Sequence, residues 1–335
     1  MTTGAAVSHT RAGTAGLLES IGLLIASMRP RQWPKNGVVL LSLVFARELG
    51  RPEQLLRATL ATLLFCVLSG AVYLINDLLD VDKDRLHPTK RHRPLASGRL
   101  STRLAIIAAP GLVVVGLALS CALDVGFGAV AAAYVLLQAA YVGLLKHAVI
   151  LDVLTLSLGF VLRAVAGAVV VAVPISPWLY ICALLLALFL ALGKRRQELV
   201  LLTGDSVDGL AGTGETEGAT GPEGRARASR LAREHRPALE QYTVALLDQL
   251  IQVVTTCLVL AYMLYTFSAE NLPKNHAMMA TVPFVLYGLF RYLYLVQVRG
   301  EGGAPEEVLL RDRGIALCVA LWGAACVAII YLSPR

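Results

Sequence analysis

Asn76-Asp77-Leu78-Leu79-Asp80-Val81-Asp82-Lys83-Asp84 closes a long apolar run and sets acids where chemistry could use them. On a helix at about 100° per residue, Asn76, Asp77, Asp80 and Asp84 fall within an arc of roughly 100°, while Asp82 points away. Like charges that close repel unless a cation lies among them, and hard oxygen donors suit Mg²⁺. Mg²⁺ held by few carboxylates fills its shell with water and substrate phosphates. The chemistry indicated is the handling of a diphosphate beside a membrane. A merely solvated helix C-terminus is the competing reading, but acids there oppose the helix dipole.

Basic residues surround this stretch. Arg85-Leu86-His87-Pro88-Thr89-Lys90-Arg91-His92-Arg93-Pro94 follows it directly, with two prolines around a run of basic or titratable groups. Such a loop could close over phosphates, Arg by bidentate contacts and Lys as a point charge. Ahead of the first apolar run stands Arg29-Pro30-Arg31-Gln32-Trp33-Pro34-Lys35-Asn36. There Trp33 reads equally as an interface anchor, and Lys35 and Asn36 as rim ligands. Arg163 lies 11 residues beyond Asp152, about 20° away in azimuth and roughly 16 Å along one helix. An arginine that deep costs at least ~2.5 kcal/mol, so it requires an anionic substrate or a structural ion pair. Lys194, Arg195 and Glu198 share a further arc, with Arg196 turned away, and form a cation-rich second wall. Asp248 and Gln249 read as interhelical hydrogen-bonding groups.

The elements that must position these residues are membrane helices. Of 335 residues, 56% are hydrophobic and only 16% charged, against about 25% charged in soluble domains. Nine apolar spans are expected at about 37–50, 55–75, 103–121, 126–145, 150–173, 177–193, 241–268, 278–298 and 314–332. All but the first have at least the roughly 17 residues that a bilayer core requires. An amphipathic stretch at 16–29 fits the interface. With the N-terminus inside, 24 of the 30 Lys and Arg fall on cytoplasmic segments, a strong positive-inside bias. The net charge of +7 is thus a topology signal and calls for no nucleic acid. Six scattered cysteines lack metal-ligand or paired spacing. Residues 1–15 read as a disordered tail, 16–335 as one membrane-embedded domain, and 203–229 as a flexible cytoplasmic insertion.

With these motifs in place, the chain resembles the UbiA superfamily of intramembrane prenyltransferases over about residues 25–332. Asn76-Asp77-x-x-Asp80-x-x-x-Asp84 is similar to that family's first Asp-rich motif. Where most members carry a second acidic cluster, this chain has Gly193-Lys194-Arg195-Arg196-Gln197-Glu198. The familiar Tyr-x-x-x-Lys spacing is stretched to Tyr141 and Lys146. His87-Pro88-Thr89-Lys90-Arg91, Leu145-Lys146-His147, Gly159-Phe160-Val161-Leu162-Arg163 and Leu310-Arg311-Asp312-Arg313 are similar to the decaprenyl-phosphate phosphoribosyltransferase branch.

The resemblance implies an all-α, nine-helix bundle in the plasma membrane with its cavity open to the cytoplasm. It also implies Mg²⁺-dependent transfer of phosphoribose from 5-phosphoribosyl 1-diphosphate to a polyprenyl phosphate, towards an arabinose donor for cell-wall arabinan. Asn76 and Asp80, with Asp84 or Asp77, are the expected metal ligands. Lys90, Arg91, Arg93, Lys194 and Arg195 are candidates for the donor's phosphates, and Lys35, Lys146 and Arg163 for the acceptor's. An ordinary aromatic prenyltransferase predicts the missing second Asp cluster, and an anion transporter predicts broken midplane helices. Homo-oligomers are compatible with such a bundle, with no number fixed.

Overall fold

The structure, a computed structural model, describes residues 16, 18–86, 90–174, 176–203, 239, 241–269, 272–300, 308 and 311–332. The expected tail at 1–15, His87-Pro88-Thr89, and the 203–229 insertion beyond Thr203 lie outside the described residues. The described chain is helical, with no strand among its residues. In order come α1 (Leu18–Ser27), a 3-10 segment (Pro30–Leu40), α2 (Leu41–Phe45), α3 (Pro52–Leu79), α4 (Val81–Leu86), α5 (Thr102–Leu123), α6 (Val125–Gly143), α7 (Leu151–Val171), α8 (Pro177–Thr203), α9 (Val244–Ser268), α10 (Val282–Gln297) and α11 (Arg313–Leu332). Pro52 opens α3, where its missing N–H costs nothing. Asp124 and Thr243 cap α6 and α9 by accepting from Phe127 N–H and Leu246 N–H.

Eight helices, α3 and α5 to α11, are long and apolar enough to cross a membrane. The first expected span takes another form. Pro30 opens this stretch and Pro34 lies inside it, where its ring and missing N–H disfavour a regular α-helix, and the chain winds as 11 residues of 3-10 helix and five of α2. A 3-10 helix rises about 2 Å per residue, so the pair covers roughly 30 Å, a full hydrocarbon core. It presses on α7 at Gly167, where a Cβ would stand 2.2 Å from the Val39 carbonyl oxygen. Only glycine fits there.

Two large apolar cores and one smaller cluster hold the described bundle. Phe65, Phe127 and Tyr134 pack as tilted rings, with centroids 5.8 and 5.2 Å apart, between α3, α6, α7 and the first span. Phe189, Leu247, Tyr265 and Leu295 centre the other, among α8 to α11. α3 and α8 have 28 and 27 residues, about 40 Å at 1.5 Å per residue, against a core of about 30 Å. Each is thus longer than a core crossing needs, and their C-terminal parts carry the polar runs Asn76 to Asp80, with Asp80 as the C-cap of α3, and Lys194 to Glu198. Across the bundle, at the opposite end, Arg57 bonds the Val170 carbonyl at 3.0 Å and lies 3.8 Å from Asp124.

Candidate active site

α3 ends at Leu79, with Asp80 as its C-cap at φ −100° and ψ 8°. The expected continuous helix is thus interrupted at Asp80, yet the Asp84 N–H still bonds the Asp80 carbonyl at 2.8 Å. The shared face survives the break. Asp77 and Asp84 are buried, whereas the Asp82 side chain is 88% exposed and pairs with Arg85 at 2.9 Å. A buried carboxylate needs a partner, and here each has one. Arg93 Nη1 donates to Asp77 Oδ1 at 3.0 Å and to Asp84 Oδ2 at 2.6 Å. Arg29 Nη2 donates to the same Asp77 oxygen. Lys146 Nζ lies 3.5 Å from Asp80 Oδ1.

Apolar packing aims the basic loop. Leu95 and Leu100 bury against Leu74, Ala105 and Ala109, with Leu23 and Leu24 of α1 over them. Arg99 bonds the His92 carbonyl at 2.9 Å. Arg93 is thereby turned back towards α3, Lys90 is half-buried, and Arg91 is exposed, bonding His92. On α1, Leu18, Ile21 and Ile25 share the opposite, exposed face, as an interfacial helix would.

One helical layer deeper, Arg163 is buried without a carboxylate partner among the described residues. Its Nε donates to Asn36 Oδ1 at 2.7 Å, Nη1 to the Gly159 carbonyl at 2.8 Å and Nη2 to the Tyr134 hydroxyl at 2.9 Å. Its guanidinium also lies over the Tyr134 ring, 4.7 Å from the centroid. Asn36 completes the set by donating to Ser69 Oγ at 3.2 Å and Cys66 Sγ at 3.3 Å. Lys35, beside it, is half-buried.

The second wall forms around Arg195, which donates to Asp152 Oδ2 and Glu198 Oε2, both at 2.7 Å. Asp152 thus serves Arg195 on α8 and not Arg163 on its own helix. The Tyr242 hydroxyl donates to Asp152 Oδ1 at 2.9 Å and accepts from the Ile150 N–H at 2.7 Å. Burial, with the Asp152 charge adding to it, pushes the Tyr242 phenol up to about 12. Tyr141 is near enough to act on the Arg195 charge, and Lys194 is half-buried alongside. Arg196 turns to α9 and meets Asp248 at 2.6 Å, an interhelical pair as expected of Asp248. Arg291 and Asp312 pair at 2.8 Å, and Arg291 holds the Asp312 carboxyl below the usual carboxylate range.

The expected site residues therefore gather at one end of the bundle as two linked clusters. One joins Asp77, Asp80 and Asp84 to Arg93 and Lys146. The other joins Arg195 and Glu198 to Asp152, and the helix and turn from Tyr141 to Lys146 run between them. Arg29, Asp152 and Tyr242 were not among the expected ligands. Asp152 carried a visible signal as an acid opening an apolar helix; Arg29 and Tyr242 reach the site through tertiary folding. Among the described residues no three His, Cys, Asp or Glu side chains already stand as a metal cage. The donor chemistry still fits a hard divalent cation, since facing oxygens of Asp77 and Asp84 share one cationic donor.

An all-helical membrane bundle with an acidic motif ending its first long helix defines a class, and the comparisons agree. Residues 37–197 match the UbiA prenyltransferase family, and the chain belongs to that family. It is similar, at 32% identity over 92% of its length and 93% of the relative's, to the decaprenyl-phosphate phosphoribosyltransferase of Mycolicibacterium smegmatis. The corresponding enzyme of Corynebacterium glutamicum is 31% identical over 93% of this chain and 87% of that one. Among solved structures, a UbiA homolog from Archaeoglobus fulgidus bound to GPP and Mg²⁺ superposes with a TM-score of 0.64 at 18% identity, covering 92% of this chain and 99% of that chain.

Proposed function

We propose that this chain transfers 5-phosphoribose from 5-phosphoribosyl 1-diphosphate to a polyprenyl phosphate, releasing diphosphate, at the cytoplasmic face of the plasma membrane. The observation that carries the reading is the pairing of one acidic cluster, Asp77, Asp80 and Asp84, with a second wall in which Lys194 and Arg195 stand with Asp152 and Glu198, in place of an all-acid motif. Similarity to the named phosphoribosyltransferases across nine-tenths of the chain supports it. A prenyl diphosphate carries one anionic group, whereas this donor adds a 5-phosphate and the acceptor a third anion. Such a site needs more cations and fewer acids than two Asp motifs supply. The cytoplasmic assignment rests on the distribution of Lys and Arg.

Asn76, Asp80 and Asp84, with Asp77 beside them, would hold Mg²⁺, which when bound offsets charge on the departing diphosphate. The acceptor phosphate needs no strong base, because its second pKa near ~6 leaves it mostly ionised at pH 7. Bond breaking at C1 of ribose proceeds through an oxocarbenium-like state, as in other glycosyl transfers. The protein's work is therefore positioning and charge placement. Lys90, Arg93 and Lys194 face the donor's phosphates, and Lys35 and Lys146 the acceptor's. Arg163 and Arg195, already engaged by side chains, set the walls against which these groups are held.

Membranes given radiolabelled phosphoribosyl diphosphate and polyprenyl phosphate should yield labelled lipid and an equal amount of released diphosphate. Asp80→Ala should lower that rate at least 100-fold while the protein still elutes as a folded species. Label trapped unchanged in sealed vesicles, or full activity in Asp80→Ala, would overturn the assignment.

A further inference from the structure

Arg29 has a backbone that its side chain does not favour. It adopts φ 56° and ψ 66°, the left-handed region that non-glycine residues enter at a cost and keep only when their surroundings impose it. Those surroundings are visible. Met28, just before it, fills the notch left by Gly70 on α3, where a Cβ would stand 2.7 Å from the methionine methyl carbon. Trp33 Nε1 donates to the Met28 carbonyl at 3.3 Å, and the Gln32 N–H to the Arg29 carbonyl at 2.8 Å. The result is that the Arg29 guanidinium lies over the Tyr73 ring, 4.7 Å from its centroid, and bonds Asp77.

Asp77 thus receives two guanidinium groups on one oxygen, Arg93 extends to Asp84, and Lys146 attends Asp80. Among the described residues, Asp77, Asp80 and Asp84 are met by Arg29, Arg93 and Lys146, so these ion pairs balance without any metal. A divalent cation that entered alone would leave a surplus of two positive charges among these pairs, where Asp77 and Asp84 are buried and such charges repel strongly. A buried acid that lost its arginine without a replacement would be equally unfavourable. Both difficulties vanish when anionic phosphate oxygens arrive with the cation and receive the displaced guanidinium groups.

We propose that Arg29 and Arg93 are exchange ligands, holding Asp77 and Asp84 in the empty enzyme and passing to the donor's phosphate oxygens when metal and diphosphate enter together. This rests on the metal–diphosphate reading of the site and adds Arg29 to its binding residues. Metal and diphosphate then load as a unit, neither binding well without the other.

The test is Mn²⁺ binding to the full chain in nanodiscs, read by electron paramagnetic resonance at fixed free Mn²⁺, with and without inorganic diphosphate. The wild type should bind Mn²⁺ at least tenfold more tightly with diphosphate. Arg29→Gln should tighten Mn²⁺ binding in its absence and shrink the diphosphate-dependent gain, and Arg29→Lys should restore most of the coupling. Arg93→Gln gives the same readout should Arg29→Gln misfold. Equal Mn²⁺ affinity with and without diphosphate in the wild type would overturn the exchange and leave the metal site standing. No Mn²⁺ binding under any condition would overturn both.

Discussion

At the scale of single residues, the buried charge of Arg163 is held without an opposite one among the described residues. Arg163 is satisfied by an amide oxygen, a backbone carbonyl, a phenol and two aromatic faces. Arg163→Ala would strand the acceptors on Asn36 and Tyr134, and buried polar groups left without donors cost about 1–3 kcal/mol each. A drop in unfolding temperature of several degrees in detergent is expected, larger than for Arg91→Ala on the exposed loop. Tyr242 offers a pH signature. Its folded phenol titrates near 12, above the usual ~10, so the unfolded chain releases this proton first as pH rises. Stability should therefore fall between pH 10 and 12, and Tyr242→Phe should flatten that part of the curve. The acidic motif was legible in the sequence because helical period alone separates Asp82 from Asp77, Asp80 and Asp84. The partners were not, since Arg195 finds Asp152 43 positions away, across two helices.

Elements decide how those residues meet. The first span, expected at 37–50, instead runs from Pro30 to Phe45 as a 3-10 segment and a short α-helix, and this winding was not legible from hydropathy; Pro34, without an N–H, lies inside it. The contact at Gly167 makes that winding testable. Gly167→Ala would push a methyl into the Val39 carbonyl and move the first span off α7. Asn36 and Arg163 lie on either side of this junction, so the substitution should lower unfolding temperature and transfer rate together. Gly111→Ala, with open space around its Cβ position, should do neither. The break at Asp80 was likewise hidden, because helical spacing continues through it.

For the whole molecule, the eight long helices and the gathering of polar clusters at one end follow from composition and charge distribution. The split into separate packed cores does not, as it depends on which aromatic faces meet. The exchange of Arg29 and Arg93 from acid to phosphate belongs to this scale, since it ties the interfacial α1, the loop after α4 and the end of α3 to one event.

The stretched first span has a further consequence. Eleven residues of 3-10 helix contribute about 22 Å and α2 about 7 Å more, so only the two together match the thickness of a bilayer core. Lipids with longer acyl chains cannot be matched by unwinding it further. A thicker bilayer should therefore load the close contact of this span with α7 at Gly167 and the hydrogen bond between Asn36 and Arg163, the two places where the crossing is held.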